Sequence, residues 1–113
     1  MSNVLGIAQS GLQVAAVRLA TSANNVANGL TEGFVPSRVE QAERIGGGVS
    51  AKVARANDPE FEARIDRNLA ALSGTDPIQE TVEQILGASS FRANLASLRT
   101  AEETDKALLD VKV

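Results

Sequence analysis

The side chains that most often carry out catalysis are missing from this sequence. The 113 residues include no histidine and no cysteine, which removes the usual general base, the thiolate nucleophile and the commonest zinc ligands. A serine or threonine nucleophile would need a lysine partner. The lysines are Lys52, Lys106 and Lys112, and none of them lies in an S-x-x-K motif. We therefore predict no catalytic residues and no enzyme activity.

Two further groups of residues could bind a ligand, but neither has the spacing of a known motif. Gly46-Gly47-Gly48 is followed by no GK[ST] sequence, so a phosphate-binding loop is not indicated. The acidic side chains of one short segment match no calcium loop and are expected to form a solvated helix face; they are Asp58, Glu60, Glu62 and Asp66. We predict no metal and no cofactor.

The composition indicates a single domain, residues 1–113, built mainly from helices. There are three phenylalanines and no tryptophan or tyrosine, so the core must consist of aliphatic side chains, which suits the packing of helix on helix. The net charge is −3 and no basic cluster is present, which argues against a nucleic-acid partner.

The first helix is predicted over residues 2–28, with Gly29 as a left-handed residue that ends it. Arg18 is the only ionised side chain from Met1 to Thr31. A helix with one apolar stripe and no charge elsewhere is poorly suited to face water, so we expect other protein molecules to cover it. The alternative is an ordinary amphipathic helix that packs against the core of the same chain. The apolar heptad positions are Leu5, Leu12, Leu19 and Val26.

The middle of the chain is predicted to hold a loop and a β-hairpin over residues 29–57, then a short helix over 58–73. Apolar and polar residues alternate on both sides of the Gly triplet, which indicates two strands. The apolar face of this hairpin is small, so it needs support from a helix or a neighbouring molecule. Asp58 and Pro59 give the helix start. Its expected apolar face contains Phe61, Ile65, Leu69 and Leu72.

The last helix is predicted over residues 76–113, capped by Asp76. Only the two long helices can bury each other's stripes, so we expect an antiparallel coiled-coil hairpin. The residues expected to pair this helix with the first are Phe91, Leu95, Leu98 and Leu108.

No membrane span and no cleavable signal peptide are expected. Gln9, Gln13 and Arg18 interrupt the first apolar stretch, and no basic segment precedes it. If the protein leaves the cytoplasm, it should use another route.

The segment from Ser10 to Phe34 reads SGLQVAAVRLATSANNVANGLTEGF. It resembles the N-terminal motif of the bacterial flagellar axial proteins, the rod, hook and hook-associated family, whose pattern is approximately SGL…A…RL…ANN(I/V)AN…T.GF. Glu32 departs from this pattern, because a proline is common there. The matching residues are Ser10-Gly11-Leu12, Ala15, Arg18-Leu19, Ala23 to Asn28, Thr31 and Gly33-Phe34.

The rest of the chain carries further motifs. Residues 47–53, GGVSAKV, resemble the strand that follows in this family. Residues 76–113 resemble its C-terminal motif, although Gly74-Thr75 and Pro77 depart from the usual residues. The matching runs are FRANL from Phe91, LRTAEE from Leu98 and LLD from Leu108.

The resemblance implies a structural subunit of the flagellar basal-body rod that assembles into a helical axial tube. In that family the terminal helices pair and line the tube, and the subunits leave through the flagellar type III export apparatus without a cleaved signal. The implied partners are copies of the chain, other rod or hook proteins and the export apparatus. The implied location is the basal body, in the rod that spans the periplasm. The alternative function is a soluble helical binding module, such as a flagellar export chaperone or adaptor.

Some of these residues are expected at contacts between subunits. The asparagines have an alternative, local role, because Asn at a helix end caps and turns well. The full set is Leu5, Leu12, Leu19, Asn24, Asn25, Val26 and Asn28.

Overall fold

Three helices and one β-hairpin make up the part of the chain that the structure describes. This computed structural model describes residues 2–66 and 72–111. The elements in chain order are α1 (Ser2–Ala27), β1 (Ser37–Glu43), β2 (Val49–Arg55), α2 (Pro59–Asp66) and α3 (Pro77–Val111). The mainly helical fold class predicted from the sequence is confirmed.

The helices α1 and α3 pair in opposite directions and form the long body of the molecule. Arg18 of α1 contacts Glu83 of α3. Gly11, seven residues earlier in α1, lies against Asn94 of α3. Residue numbers therefore rise along one helix as they fall along the other, which is the predicted antiparallel hairpin. Because α1 has 26 residues and α3 has 35, α3 is the longer helix. The molecule measures 72 × 25 × 14 Å.

Aspartate caps begin the second and third helices, as predicted. The Asp58 side chain accepts a hydrogen bond from the Phe61 N–H at 3.1 Å. The Asp76 side chain accepts one from the Ile78 N–H at 3.0 Å. Each bond satisfies a backbone donor that has no partner within the first helical turn.

Two predicted helix ends are wrong. Gly29 does not have the positive φ predicted for it; instead its N–H donates to Val26 O at 3.0 Å, which tightens the last turn of α1. The short helix α2 is described only to Asp66. Leu69 lies outside the described residues, and Leu72 is exposed and outside any helix rather than on the predicted apolar face.

The β-hairpin is antiparallel and lies against α1. Ser37 pairs with Arg55 at the open end and Glu43 with Val49 at the turn, where Gly46, Gly47 and Gly48 all have positive φ. The Val49 N–H donates to Ser10 Oγ of α1 at 3.0 Å. The helix thus supplies the support that a two-stranded sheet needs.

The buried core consists mostly of small side chains. Its apolar members are Ala8, Val14, Ala15, Val35, Phe61 and Ala101. Many larger aliphatic side chains remain exposed, among them Ile78, Ile85 and Leu109. A single copy of the chain therefore buries little of the apolar surface available to it.

The helix segment Asn3–Ala27 is long and apolar enough, by length and composition, to cross a membrane; an 18-residue stretch within it has a mean hydropathy of 1.2. This differs from the sequence expectation that no segment would reach that level. Packed helices of other proteins pass the same test, and here the helix contacts both α3 and the hairpin.

Candidate functional site

The contact between α1 and α3 follows a seam of small and polar residues. On α3 the buried residues are Glu80, Gly87 and Ala101, which fall on one heptad series with Asn94 between them. A Cβ added at Gly87 would lie 3.1 Å from the Leu19 side chain. A larger residue at this point would therefore require the Leu19 side chain to shift. The buried residues at heptad spacing on α1 are Ala8, Gly11, Ala15, Ser22 and Asn25.

A cluster of polar side chains, which we call the polar node, lies where α1 ends and α3 begins. Its centre is Asn25, whose relative exposure is 0%. The Asn25 side chain donates to Ser37 O at 2.8 Å and accepts from Ser37 N at 2.9 Å. The Asn25 amide thus makes with the Ser37 backbone the two hydrogen bonds that a residue of a neighbouring strand could make. The members of the node are Ser22, Asn25, Ser37, Arg38 and Glu80.

Glu80 ties the polar node to α3. Its side chain is 1% exposed and accepts hydrogen bonds from Arg38 and from Asn25 Nδ2, the latter at 3.1 Å. Its backbone oxygen accepts one from Ser22 Oγ at 3.2 Å. A buried carboxylate is costly without a charged partner, and Arg38 of β1 supplies that partner. The node therefore locks together α1, β1 and α3.

The single charged side chain of α1 points inward. Arg18 pairs with Glu83 at 3.2 Å, and both side chains are about three-quarters buried. The remaining surface of α1 therefore carries no ionised side chain, since no other Asp, Glu, Lys or Arg occurs in this helix.

The other two asparagines of the ANNVAN motif (residues 23–28) are Asn24, in the last turn of α1, and Asn28, just after it. Asn28 Nδ2 donates to Asn24 O at 3.0 Å, and Asn28 Oδ1 accepts from Thr31 Oγ1 at 3.1 Å. Asn25, by contrast, faces the interior. The bonds of Asn28 are of the local, turn-forming kind that the sequence left open for the motif. The Asn25 side chain has no exposed surface and bonds within the subunit to β1 and α3.

The leucines expected at subunit contacts are only partly covered. Leu5, Leu12 and Leu19 are half-buried, as is Asn28, whereas Asn24 and Val26 are exposed. Small residues, rather than this leucine stripe, occupy the centre of the seam.

The residues expected to pair α3 with α1 divide into two groups. Phe91, Leu95 and Leu98 are half-buried along α3. Leu108 is 56% exposed and does not meet the expectation. Val4, near the start of α1, lines the same surface groove as Ala101, and Leu108 lies seven residues further along α3.

Sequence reasoning missed several residues that form the node and the close approach of the helices at Gly87. These are Ser22, Arg38, Glu80 and Gly87. A signal was available in the heptad series from Glu80 through Gly87 to Ala101, but leucine spacing is the stronger pattern in the same helices.

A cleft of about 450 Å³ lies between the base of the hairpin and the start of α2. Three of its polar side chains already have partners: Arg38 bonds Glu80 and Gln79, and Asp58 caps α2. Within residues 2–66 and 72–111, no three His, Cys, Asp or Glu side chains come together as metal ligands would.

Comparison with known proteins gives one family. Residues 5–34 match the family model described as flagella basal body rod protein. They cover most of α1 and the turn up to Phe34, including Asn25 of the polar node. No curated protein matches the chain. The N-terminal segment therefore carries the flagellar rod motif, and the resemblance to the flagellar axial family predicted from the sequence is confirmed.

Proposed function

We propose that this protein is a structural subunit of the flagellar basal-body rod that assembles into a helical axial tube. The observation that carries the proposal is the outer face of α1. Its one charge, Arg18, is used internally against Glu83, and the matched family model covers this same helix.

The outer face of α1 is long, exposed and uncharged. Monomeric proteins rarely leave a large continuous surface of this kind open to water. Alanine and glutamine side chains at heptad spacing let another helix approach closely without burying an unpaired charge. We define the outer face by its exposed residues Gln9, Gln13, Ala16, Ala20, Ala23 and Ala27.

The residues proposed to contact neighbouring subunits include the partly exposed leucines of α1. Leu5, Leu12 and Leu19 keep surface beyond the α3 contact, and Asn24 and Val26 are open at the helix end. Asn28 retains some exposed surface and remains in the set, whereas Asn25 acts within the subunit. Phe91, Leu95 and Leu98 are proposed to hold α3 against α1.

The proposed partners are copies of this chain and other rod or hook proteins, reached after passage through the flagellar export apparatus without a cleaved signal. The proposed location is the rod where it spans the periplasm. The contacts would be heterologous and non-closing, since such contacts generate a helical polymer.

Purified hook–basal bodies provide the test. Mass spectrometry should find the protein in that fraction. The Ala20→Glu variant should fold, because Ala20 is exposed, yet be absent from basal bodies, because a charge would enter the contact. The matched control is Thr104→Glu, an exposed position on the charged part of α3, which should be incorporated.

An export chaperone or adaptor would behave differently in the same experiment. It would remain in the cytoplasmic fraction, and Ala20→Glu would not alter its location. That result would refute the rod assignment.

A further inference from the structure

The turn after α1 contains the one Asn-Gly pair of the sequence, Asn28-Gly29. We propose that Asn28 is a site of spontaneous deamidation and that the folded turn suppresses the reaction. The inference goes beyond the proposed function and does not depend on it, because it concerns the chemistry of the isolated chain.

The reaction needs only the side chain of Asn28, the nitrogen of the next residue and water. The Gly29 nitrogen loses its proton to solvent hydroxide and forms a bond to Asn28 Cγ. The Cγ–Nδ2 bond then breaks, and the side-chain nitrogen leaves as ammonia after taking a proton from water. Water opens the resulting succinimide ring at either carbonyl, which leaves aspartate or isoaspartate at position 28. Glycine is the most permissive residue in the attacking position, because it has no Cβ and its backbone adopts the widest range of conformations.

The other asparagines of the motif are followed by bulkier residues. Asn24 precedes Asn25, and Asn25 precedes Val26, whose branched side chain crowds the attacking nitrogen. Asn25 is also fully buried, whereas Asn28 and Gly29 are both half-buried and remain open to water. Sequence and exposure therefore both favour Asn28 as the reactive asparagine of this motif.

In the folded chain both reacting groups of this site are held by hydrogen bonds. Asn28 Nδ2 donates to Asn24 O at 3.0 Å, and Asn28 Oδ1 accepts from Thr31 Oγ1 at 3.1 Å. The attacking Gly29 N–H donates to Val26 O at 3.0 Å. Ring closure joins Cγ to the Gly29 nitrogen, so the nitrogen must leave Val26 and the side chain must leave its two partners. The reaction therefore proceeds from a locally opened turn, whose population the three hydrogen bonds reduce.

Deamidation would weaken the end of α1. An aspartate has no side-chain N–H, so it cannot replace the bond that Asn28 donates to Asn24 O. Its negative charge would also lie at the C-terminal end of a helix, where the helix dipole is already negative. Isoaspartate would in addition lengthen the main chain through its side-chain carbon. The folded turn thus protects a residue on which the turn itself depends.

Peptide mass spectrometry tests the proposal on the purified full-length chain. Trypsin releases residues 19–38 as one peptide, which contains all three asparagines of the motif. In mildly alkaline buffer with urea, Asn28 should deamidate faster than Asn24 or Asn25. Without urea its rate should fall about tenfold or more, since opening the turn breaks three hydrogen bonds and each shifts the equilibrium roughly two- to tenfold. Equal rates with and without urea would overturn the suppression, and no preference for Asn28 in urea would overturn the site.

Two variants separate the effect of the fold from the chemistry of the site. Thr31→Val removes the hydroxyl that donates to Asn28 Oδ1, at an exposed position. It should raise the rate roughly two- to tenfold in buffer and leave it unchanged in urea. Gly29→Ala should lower the rate in urea, because the added Cβ hinders the attack. The matched control for the threonine variant is Thr104→Val, exposed on α3, which should behave as the wild type in both conditions.

Each variant has an outcome that contradicts one part of the proposal. If Thr31→Val deamidated at the wild-type rate in buffer, the hydrogen bonds of the turn would not control the reaction. If Gly29→Ala deamidated at the wild-type rate in urea, the Gly29 nitrogen would not be the attacking group.

Discussion

Replacing Asn25 with alanine should destabilise the subunit more than alanine at Asn24, Val26 or Asn28, the other non-alanine positions of the ANNVAN motif. The Asn25 side chain is fully buried and makes three hydrogen bonds, two to the backbone of Ser37 and one to Glu80. Alanine removes all three and leaves the Ser37 N–H without its partner. The end of α1 then loses its connection to β1 and part of its connection to α3.

The expected loss is about 3 kcal/mol of unfolding free energy. Each net hydrogen bond contributes roughly 0.5–1.5 kcal/mol, and a buried group left unpaired costs about as much again. Glu80 keeps its pair with Arg38, which prevents a larger loss. In a domain of this size, about 3 kcal/mol corresponds to a fall of roughly 10–20 °C in the melting temperature.

Urea and thermal unfolding followed by circular dichroism would measure the effect. The matched control is Asn24→Ala, because Asn24 is the exposed neighbour in the same motif, and it should shift the free energy by less than about 0.5 kcal/mol. Asn25→Asp keeps the shape but places a second carboxylate beside Glu80, so at neutral pH it should destabilise more than alanine does. If Asn25→Ala matched Asn24→Ala, the node would not hold the subunit together and this reasoning would fail.

Three further variants test the seam and the hairpin. Gly87→Val should cost roughly 1–3 kcal/mol in urea unfolding, because the added side chain meets Leu19, whereas Gly6→Ala, with open space around its Cβ, should stabilise by about 0.5–1 kcal/mol. A double-mutant cycle of Arg18→Met and Glu83→Gln should give a coupling below about 1 kcal/mol, since solvent still screens this pair; a coupling of several kcal/mol would contradict that. Ser10→Ala should speed hydrogen exchange at the Val49 amide roughly 5–30-fold by removing its acceptor, and unchanged exchange would show that Ser10 does not hold the hairpin.

Local signals predicted the helices and their starts well. The caps at Asp58 and Asp76 and the absence of charge in α1 depend on neighbouring residues only, so they can be inferred without the fold. The end of α1 was harder to predict. Gly29 appeared suited to a left-handed turn, but the Asn28 side chain and consecutive short turns terminate the helix instead.

The sequence also carried the family motif, which needs no structure to be found. It identified the three asparagines of ANNVAN as special but left their role open. The structure distinguishes Asn25, which clamps Ser37 and Glu80, from Asn28, which caps the turn.

The sequence by itself determined that two long helices would pair around a small hairpin, and that α1 would present a face without charge. The tertiary structure decided which face of α1 lies inside. Two stripes with heptad spacing run along this helix, one through Leu12 and one that includes both Gly11 and Ala15, and periodicity cannot rank them. Small residues occupy the seam because they let the backbones approach closely, and the polar node depends on an ion pair between Arg38 and Glu80, 42 residues apart in the chain.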